Sequence, residues 1–186
     1  MFKKIVLLGL LFSLSLHAVD EANIQSFMDN KVNEVLAILK NKQLSERQKE
    51  QKNIAIIDTV FDYHTMAKIS LSTKWKTLTN VEQKNFAAAF ATKIKHSYLD
   101  KLKLYNNQTV TIKPFKKPKS NRITVETEII GLDDTYKVVY LFYKDKNGQW
   151  YIYDIELVGV SLIQTYRKQF AEFLTSKSIS QLIQSL

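Results

Sequence analysis

The chain of 186 residues has no Cys, three His and a formal net charge of +9, from 27 Lys and Arg against 18 Asp and Glu. The lack of Cys excludes disulfides, thiol nucleophiles, zinc–thiolate sites and iron–sulfur clusters, so packing alone must hold the fold. A basic balance suits anionic headgroups, acidic proteins or nucleic acid, but no zinc-finger spacing or RNA-binding aromatic motif supports the last of these.

Met1 to Lys4 is a short basic stretch, Ile5 to Leu16 an uncharged apolar run, and small Ala18 precedes the polar sequence from Asp20. This is the layout of a secretory leader. The apolar run is too short to cross a bilayer, which needs about 20 helical residues. Residues 1–18 are therefore expected to be cleaved after Ala18, leaving one domain over residues 19–186. Loss of Lys3 and Lys4 leaves 25 basic residues against 18 acidic ones.

Pro occurs only at 114 and 118, and few glycines interrupt the chain, which favours long helices. Residues 22–40 carry Ile24, Phe27, Met28, Val32, Val35, Leu36 and Leu39 at three- and four-residue steps, an amphipathic helix. Ser45 with Gln48 is a capping-box pattern for a second helix reaching Ile57. Phe61 to Leu71 reads as a short third helix. Thr79 with Glu82 caps a long fourth, whose stripe is Phe86, Phe90, Ile94, Tyr98 and Leu102.

The period then changes to alternation. Thr109 to Ile112 is a short strand, and Lys113 to Asn121, with both prolines, is expected to be a loop. Arg122 to Ile130 alternates Ile123, Val125, Thr127 and Ile129 with Arg122, Thr124, Glu126 and Glu128. After a turn at Gly131 to Asp134, Tyr136 to Tyr143 is a strand. Asn147-Gly148 signals a hairpin into a strand from Gln149 to Val158. Ser161 caps a helix carrying Leu162, Tyr166, Phe170 and Phe173, and Ser178 caps a last one ending at Leu186. The expected class is α+β, with helices packed on a curved antiparallel sheet.

Few residues offer chemistry. His17 lies in the leader, and His64 and His96 lack ligand-spaced partners. Gly159-Val160-Ser161 is not a nucleophile elbow, and Ser161 is better explained as a cap. Asp154 and Glu156, two apart on a strand, are weak support for a paired-carboxylate site. No phosphate-binding glycine loop is present. Neither an enzyme nor a cofactor is expected.

The strand Tyr136 to Tyr143 is apolar on both faces, whereas a sheet with one solvated face alternates. Either helices cover both faces or one face lines a cavity.

Two blocks resemble the MlaC family, also known as the toluene-tolerance auxiliary component of ABC transporters. The first is Phe61-Asp62-Tyr63, Met66-Ala67, Leu71, Trp75, Thr79, Glu82-Gln83, Phe86, Phe90 and Tyr98. The second is Tyr140, Gly148, Trp150, Tyr153-Asp154, Gly159-Val160-Ser161-Leu162, Tyr166-Arg167 and Phe170, with the tail Leu182-Ile183 and Leu186. Ser72 stands where the family usually has Gly, and Val81 where it often has Pro. The resemblance implies a monomeric periplasmic carrier of phospholipid. Its implied partners are an outer-membrane lipoprotein–porin complex and an inner-membrane ABC transporter with an MCE-domain protein, and its implied role is maintaining outer-membrane lipid asymmetry. Nucleic acid is not an expected partner. The other reading is a ligand-free envelope scaffold or adaptor of the same fold.

For a carrier, the expected apolar pocket lies between helices and sheet. On the strands its lining is the face opposite the charged one: Val125, Ile129, Val138, Tyr140, Phe142, Tyr153 and Ile155. On the helices it is Phe61, Met66, Ile69, Trp75, Phe90 and Tyr98. Val138, Tyr140 and Phe142 share a parity and are expected to meet the ligand. Val139 is expected on the helix-packed opposite face, and to tolerate charge less well than Val138. Arg167 is expected to hold a carboxylate such as Asp154.

Overall fold

Side-chain caps set where the helices begin. In a computed structural model, which describes residues 19–131 and 134–186, Ser45, Thr79 and Ser178 each accept from the N3 backbone, and the N3 side chain reaches back. These capping boxes satisfy N–H groups that a helix start leaves unpaired. The expected leader and Asp133 lie outside the described residues.

Four α-helices come first: α1 (Ile24–Lys40), α2 (Glu46–Ile57), α3 (Tyr63–Leu71) and α4 (Asn80–Leu102). Six strands follow: β1 (Thr109–Ile112), β2 (Lys116–Lys119), β3 (Arg122–Ile130), β4 (Thr135–Lys144), β5 (Trp150–Leu157) and β6 (Val160–Ser161). The chain closes with α5 (Leu162–Phe173) and α6 (Ile179–Ser185). Helix α3 begins two residues after Phe61, because Asp62 caps it by accepting from Thr65 N–H. The segment before it bonds to the sheet: Asp62 N–H donates to Ile152 and Ile152 N–H to Val60.

All strand pairings are antiparallel, in the order β1-β3-β4-β5-β6, with β2 also on β3. Strand β1 pairs with residues 127–130 and β2 with 122–124, so two short strands make one broken edge. The expected loop from Lys113 to Asn121 is thus corrected, since its middle is a strand. Pro118 is tolerated there because an edge strand can lose one ladder donor, and lysines keep such an edge from pairing with other chains. The opposite edge, on β5, is covered by β6, by Phe61 bridging to Ile152 and by Val19 bridging to Trp150.

Register decides the faces. Ile123, Val125, Thr127 and Ile129 stand opposite Phe142, Tyr140, Val138 and Tyr136. Ile123, Val125 and Phe142 are buried in the core with residues of the helices. The other face carries Arg122, Thr124, Glu126 and Glu128 beside Tyr143, Leu141, Val139 and Lys137. Ion pairs cross it, Lys137 to Glu126 at 2.6 Å and Lys113 to Glu128 at 2.7 Å. The expectation for Val139 is therefore reversed. Helices pack on the Val138 face, and Val139 lies outside in an open groove with Pro114, Thr124 and Glu126.

A bulge corrects Tyr153. Leu141 pairs with Asp154 but Phe142 with Ile152, so Tyr153 is the extra residue and parity shifts across it. Ile155 then lies opposite Tyr140 on the inner face. Tyr153 instead joins the outer face, its ring 6.0 Å from that of Tyr143 and 5.3 Å from the Arg122 guanidinium.

Arg167 is exposed and does not hold Asp154. The buried Asp154 carboxylate accepts from Ser161 Oγ at 2.5 Å, Ile163 N–H at 3.0 Å and Ile155 N–H at 2.8 Å. Ser161 Oγ in turn accepts from Gln164 N–H, which caps α5. The carboxylate thus ties β5, β6 and α5 together.

Candidate functional site

The inner face of the sheet is a set of cross-strand rows. Ile123, Phe142 and Ile152 form the first, all buried. Val125, Tyr140 and Ile155 form the next, within the core or packed against it. Ile112, Thr127, Val138, Leu157 and Val160 form a third. Val110, Ile129 and Tyr136 form the last. Cover by the helices thins along this series. Val138 is buried, but Leu157 is 42% and Tyr136 46% exposed. An apolar face thus runs unbroken from the closed core to solvent.

Helices supply the opposing wall. Trp75 lies in a 3-10 turn, Ser72–Thr77, and its ring meets Phe86 at 6.5 Å. Phe86 and Phe90 stack at 5.7 Å, and Phe90 meets Tyr166 at 5.0 Å and Phe170 at 5.5 Å. Phe61 and Tyr98 pair separately, 6.5 Å apart. Met66 is wholly buried, and Ile69 packs on the core from α3. The structure therefore gathers Phe61, Met66, Ile69, Trp75, Phe90, Tyr98, Val125, Tyr140, Phe142 and Ile155 in or against one apolar layer. Val138 and Ile129 continue its sheet side toward solvent. Tyr153 is the one candidate on the wrong face.

Three polar groups sit inside the layer. Burial pushes the Tyr98 and Tyr140 phenols above the usual tyrosine range, and nearby Tyr140 raises Tyr98 further. The hydroxyl of Thr127, itself buried, donates to Val138 C=O at 3.3 Å and lies close enough to Tyr140 to oppose that rise. These are neutral amphipathic side chains. They can flank an alkyl chain and offer a hydroxyl, but they do not form a nucleophile–base pair.

At the far end of β4, Tyr143 Oη donates to the Asp62 carboxylate, which also accepts from Thr65 N–H at 2.9 Å and Thr65 Oγ1 at 2.7 Å. Burial would raise the Asp62 pKa, but these hydrogen bonds outweigh it and hold the group below its ordinary value. Burial first, and the bond to Asp62 second, push the Tyr143 phenol up to about 12. His64 is exposed and edge-on to Trp75 at 5.2 Å. Among the described residues no group of three or more His, Cys, Asp or Glu could hold a metal ion.

Sequence reasoning missed Ile112, Thr127, Tyr136 and Leu157. Tyr136 and Leu157 already had the right parity. Thr127 shares by alternation the face of Val125 and Ile129, but its polar type kept it from the candidates, and the structure shows it buried.

Three comparisons bear on this layer. The family described as MlaC protein matches residues 29–186. The toluene tolerance protein ttg2D of Pseudomonas putida is 25% identical over 118 residues, 63% of this chain and 55% of that protein. The intermembrane phospholipid transport system binding protein MlaC of Haemophilus influenzae is 26% identical over 118 residues, 61% of this chain and 55% of that protein. Both alignments thus span about half of the relative's length. The phospholipid-binding protein from Ralstonia solanacearum, solved in complex with a phospholipid, superposes with a TM-score of 0.73 at 25% identity, over 86% of this chain and 92% of that one.

Proposed function

The chain belongs to the MlaC family, and from that premise we propose that it binds a phospholipid by its acyl tails, between the helices and the inner sheet face. The observation that carries the proposal is the unbroken apolar face, buried at Phe142 and Val125 and open at Tyr136 and Leu157. Tails enter from the open end and part Tyr98 from Tyr140, replacing contacts between the walls with contacts to the chain. The polar headgroup stays outside, where water solvates it.

The energetics require such a sleeve. Burying a methylene is worth about 0.8 kcal/mol. A 16-carbon tail alone in water is therefore disfavoured by roughly 12 kcal/mol, and two tails by about twice that. Residues 1–18 act as the export leader and the mature protein works in the periplasm. It passes lipid between the outer-membrane lipoprotein–porin complex and the inner-membrane ABC transporter with its MCE-domain protein, and so maintains outer-membrane asymmetry.

Native mass spectrometry of gently purified protein tests the binding step. One phospholipid per protein is expected, with little change when the headgroup is varied. A scaffold without ligand is the second reading. In its favour, Phe61, Met66, Trp75, Phe90, Val125 and Phe142 are already buried in one cluster. A spectrum that stays free of adduct after incubation with liposomes would establish it. An intact mass from the periplasm that retains residues 1–18 would overturn the leader.

A further inference from the structure

Among the described residues seven large hydrophobic side chains are exposed, and six of them gather at one end of the sheet: Leu104, Ile130, Tyr136, Leu157, Val158 and Val160. Three chain connections meet there. Val158 and Gly159 turn β5 into β6, and Val158 N–H donates to Lys137 C=O in β4. Ile130 at the end of β3 pairs with Thr135 at the start of β4. Gly131 lies beside the side chain of Gln108, whose amide donates to Leu104 C=O. Scattered exposed aliphatics are ordinary, whereas six at one end make a patch of the kind that marks a contact site.

Val158 is the most informative of them. It is 66% exposed and has φ +50°, followed by Gly159 at +78°. A two-residue hairpin with both φ positive favours Asn-Gly, and a β-branched residue in that region is strained. Valine here costs stability through its backbone and gains none from burial. Such an outlier points to a role outside the folded monomer.

We propose that this end of the sheet is a membrane-docking lip, which seats Val158, Val160, Leu157 and Tyr136 in the headgroup region of a phospholipid bilayer. The proposal rests on the phospholipid-carrier reading, for the lip is the open end of the apolar face and docking sets that opening against a source of lipid. Local charge does not select the lipid headgroup, for Lys103 pairs with Glu50 and Asp100, Lys137 with Glu126, and Tyr136 donates to Asp134, so apolar contact carries the docking. A tyrosine among aliphatics suits the water–lipid boundary, where its ring is buried and its hydroxyl stays wet.

Val158→Asn separates docking from folding. Asparagine accepts positive φ, so the melting temperature should stay level or rise. Vesicle binding should fall about tenfold or more, the equivalent of one valine no longer buried. Val81→Asn is the control. Val81 is the seventh exposed hydrophobic, on the first turn of α4, and 23 residues of helix place it about 30 Å from Leu104. The protein recovered from the periplasm is floated with vesicles of phosphatidylethanolamine and phosphatidylglycerol, and its lipid adduct is read by native mass spectrometry. Flotation that Val158→Asn lowers about tenfold and Val81→Asn leaves unchanged is the expected result. Equal flotation of the parent and Val158→Asn, an equal loss in Val81→Asn, or a homodimer that Val158→Asn dissolves would overturn docking. Protein that carries its adduct yet ignores vesicles overturns the lip and spares the carrier. Protein that floats through Val158 yet never carries lipid sinks the carrier reading instead.

Discussion

Two carboxylates show what single residues contribute. Asp154 is buried with three donors, from Ser161, Ile155 and Ile163. Removing it strands those donors where water cannot reach all of them. Asp154→Ala is expected to cost about 2 kcal/mol and to lower the melting temperature by about 4–8 °C, measured by thermal unfolding. Asp62 acts through pH. Its folded pKa lies below the unfolded value because Tyr143 and Thr65 donate to it against the opposing effect of burial. Its contribution is therefore fully present above the ordinary aspartate pKa of about 3.9, and is lost as pH falls through the lower folded value. Tyr143→Phe deletes one donor and leaves burial less opposed. The acid-unfolding midpoint, followed by circular dichroism, should move to higher pH. A midpoint unchanged from the parent would mean that the bond contributes nothing to acid resistance.

Adjacent residues of β4 belong to different environments. Val138 is buried on the inner face, while Val139 is partly exposed beside Pro114 and Thr124. Val138→Glu puts a charge under the helices, so the variant should lose several kcal/mol or fail to accumulate, together with any bound lipid. Val139→Glu should stay within about 1 kcal/mol of the parent. Thermal unfolding with lipid content for both variants checks this, and equal losses would mean that the faces are misassigned. The sequence made most elements legible because their signals are local. Helix caps at Ser45, Thr79, Ser161 and Ser178 were readable from side-chain type and spacing. Strand β2 was not, since Lys-Lys-Pro-Lys lacks any alternation and exists only through pairing with β3. Tyr153 was misplaced because a bulge changes parity without leaving a composition signal. The apolar excess of β4 was visible, but which face met the helices depended on packing across strands and was not.

At the scale of the molecule, lipid binding and stability are one equilibrium. A ligand that binds the folded chain and not the unfolded one stabilises it by RT ln(1 + [L]/Kd), about 2.7 kcal/mol at a hundredfold excess over Kd. With no Cys in the chain, no disulfide adds a covalent term to this balance. For a domain of this length each kcal/mol moves the melting temperature by about 2–4 °C. Removing the lipid should then lower it by about 5–11 °C, and adding phospholipid back should restore it. The restoration should depend on tail length more than on headgroup, because the layer is apolar and its hydroxyls, on Tyr98, Tyr140 and Thr127, are neutral. The scaffold reading expects no shift with any lipid, since the side chains already bury one another. Val158→Asn refines the comparison. Its lesion lies at the open end, so its equilibrium shift with short-chain phospholipid below micelle formation should match the parent's, while loading from vesicles slows. Thermal unfolding at graded lipid concentration, together with the rate of adduct formation from vesicles, measures both. A lipid-induced shift lost in Val158→Asn would place Val158 in the binding site itself, and a loading rate unchanged by the substitution would remove the lip from the path the lipid takes.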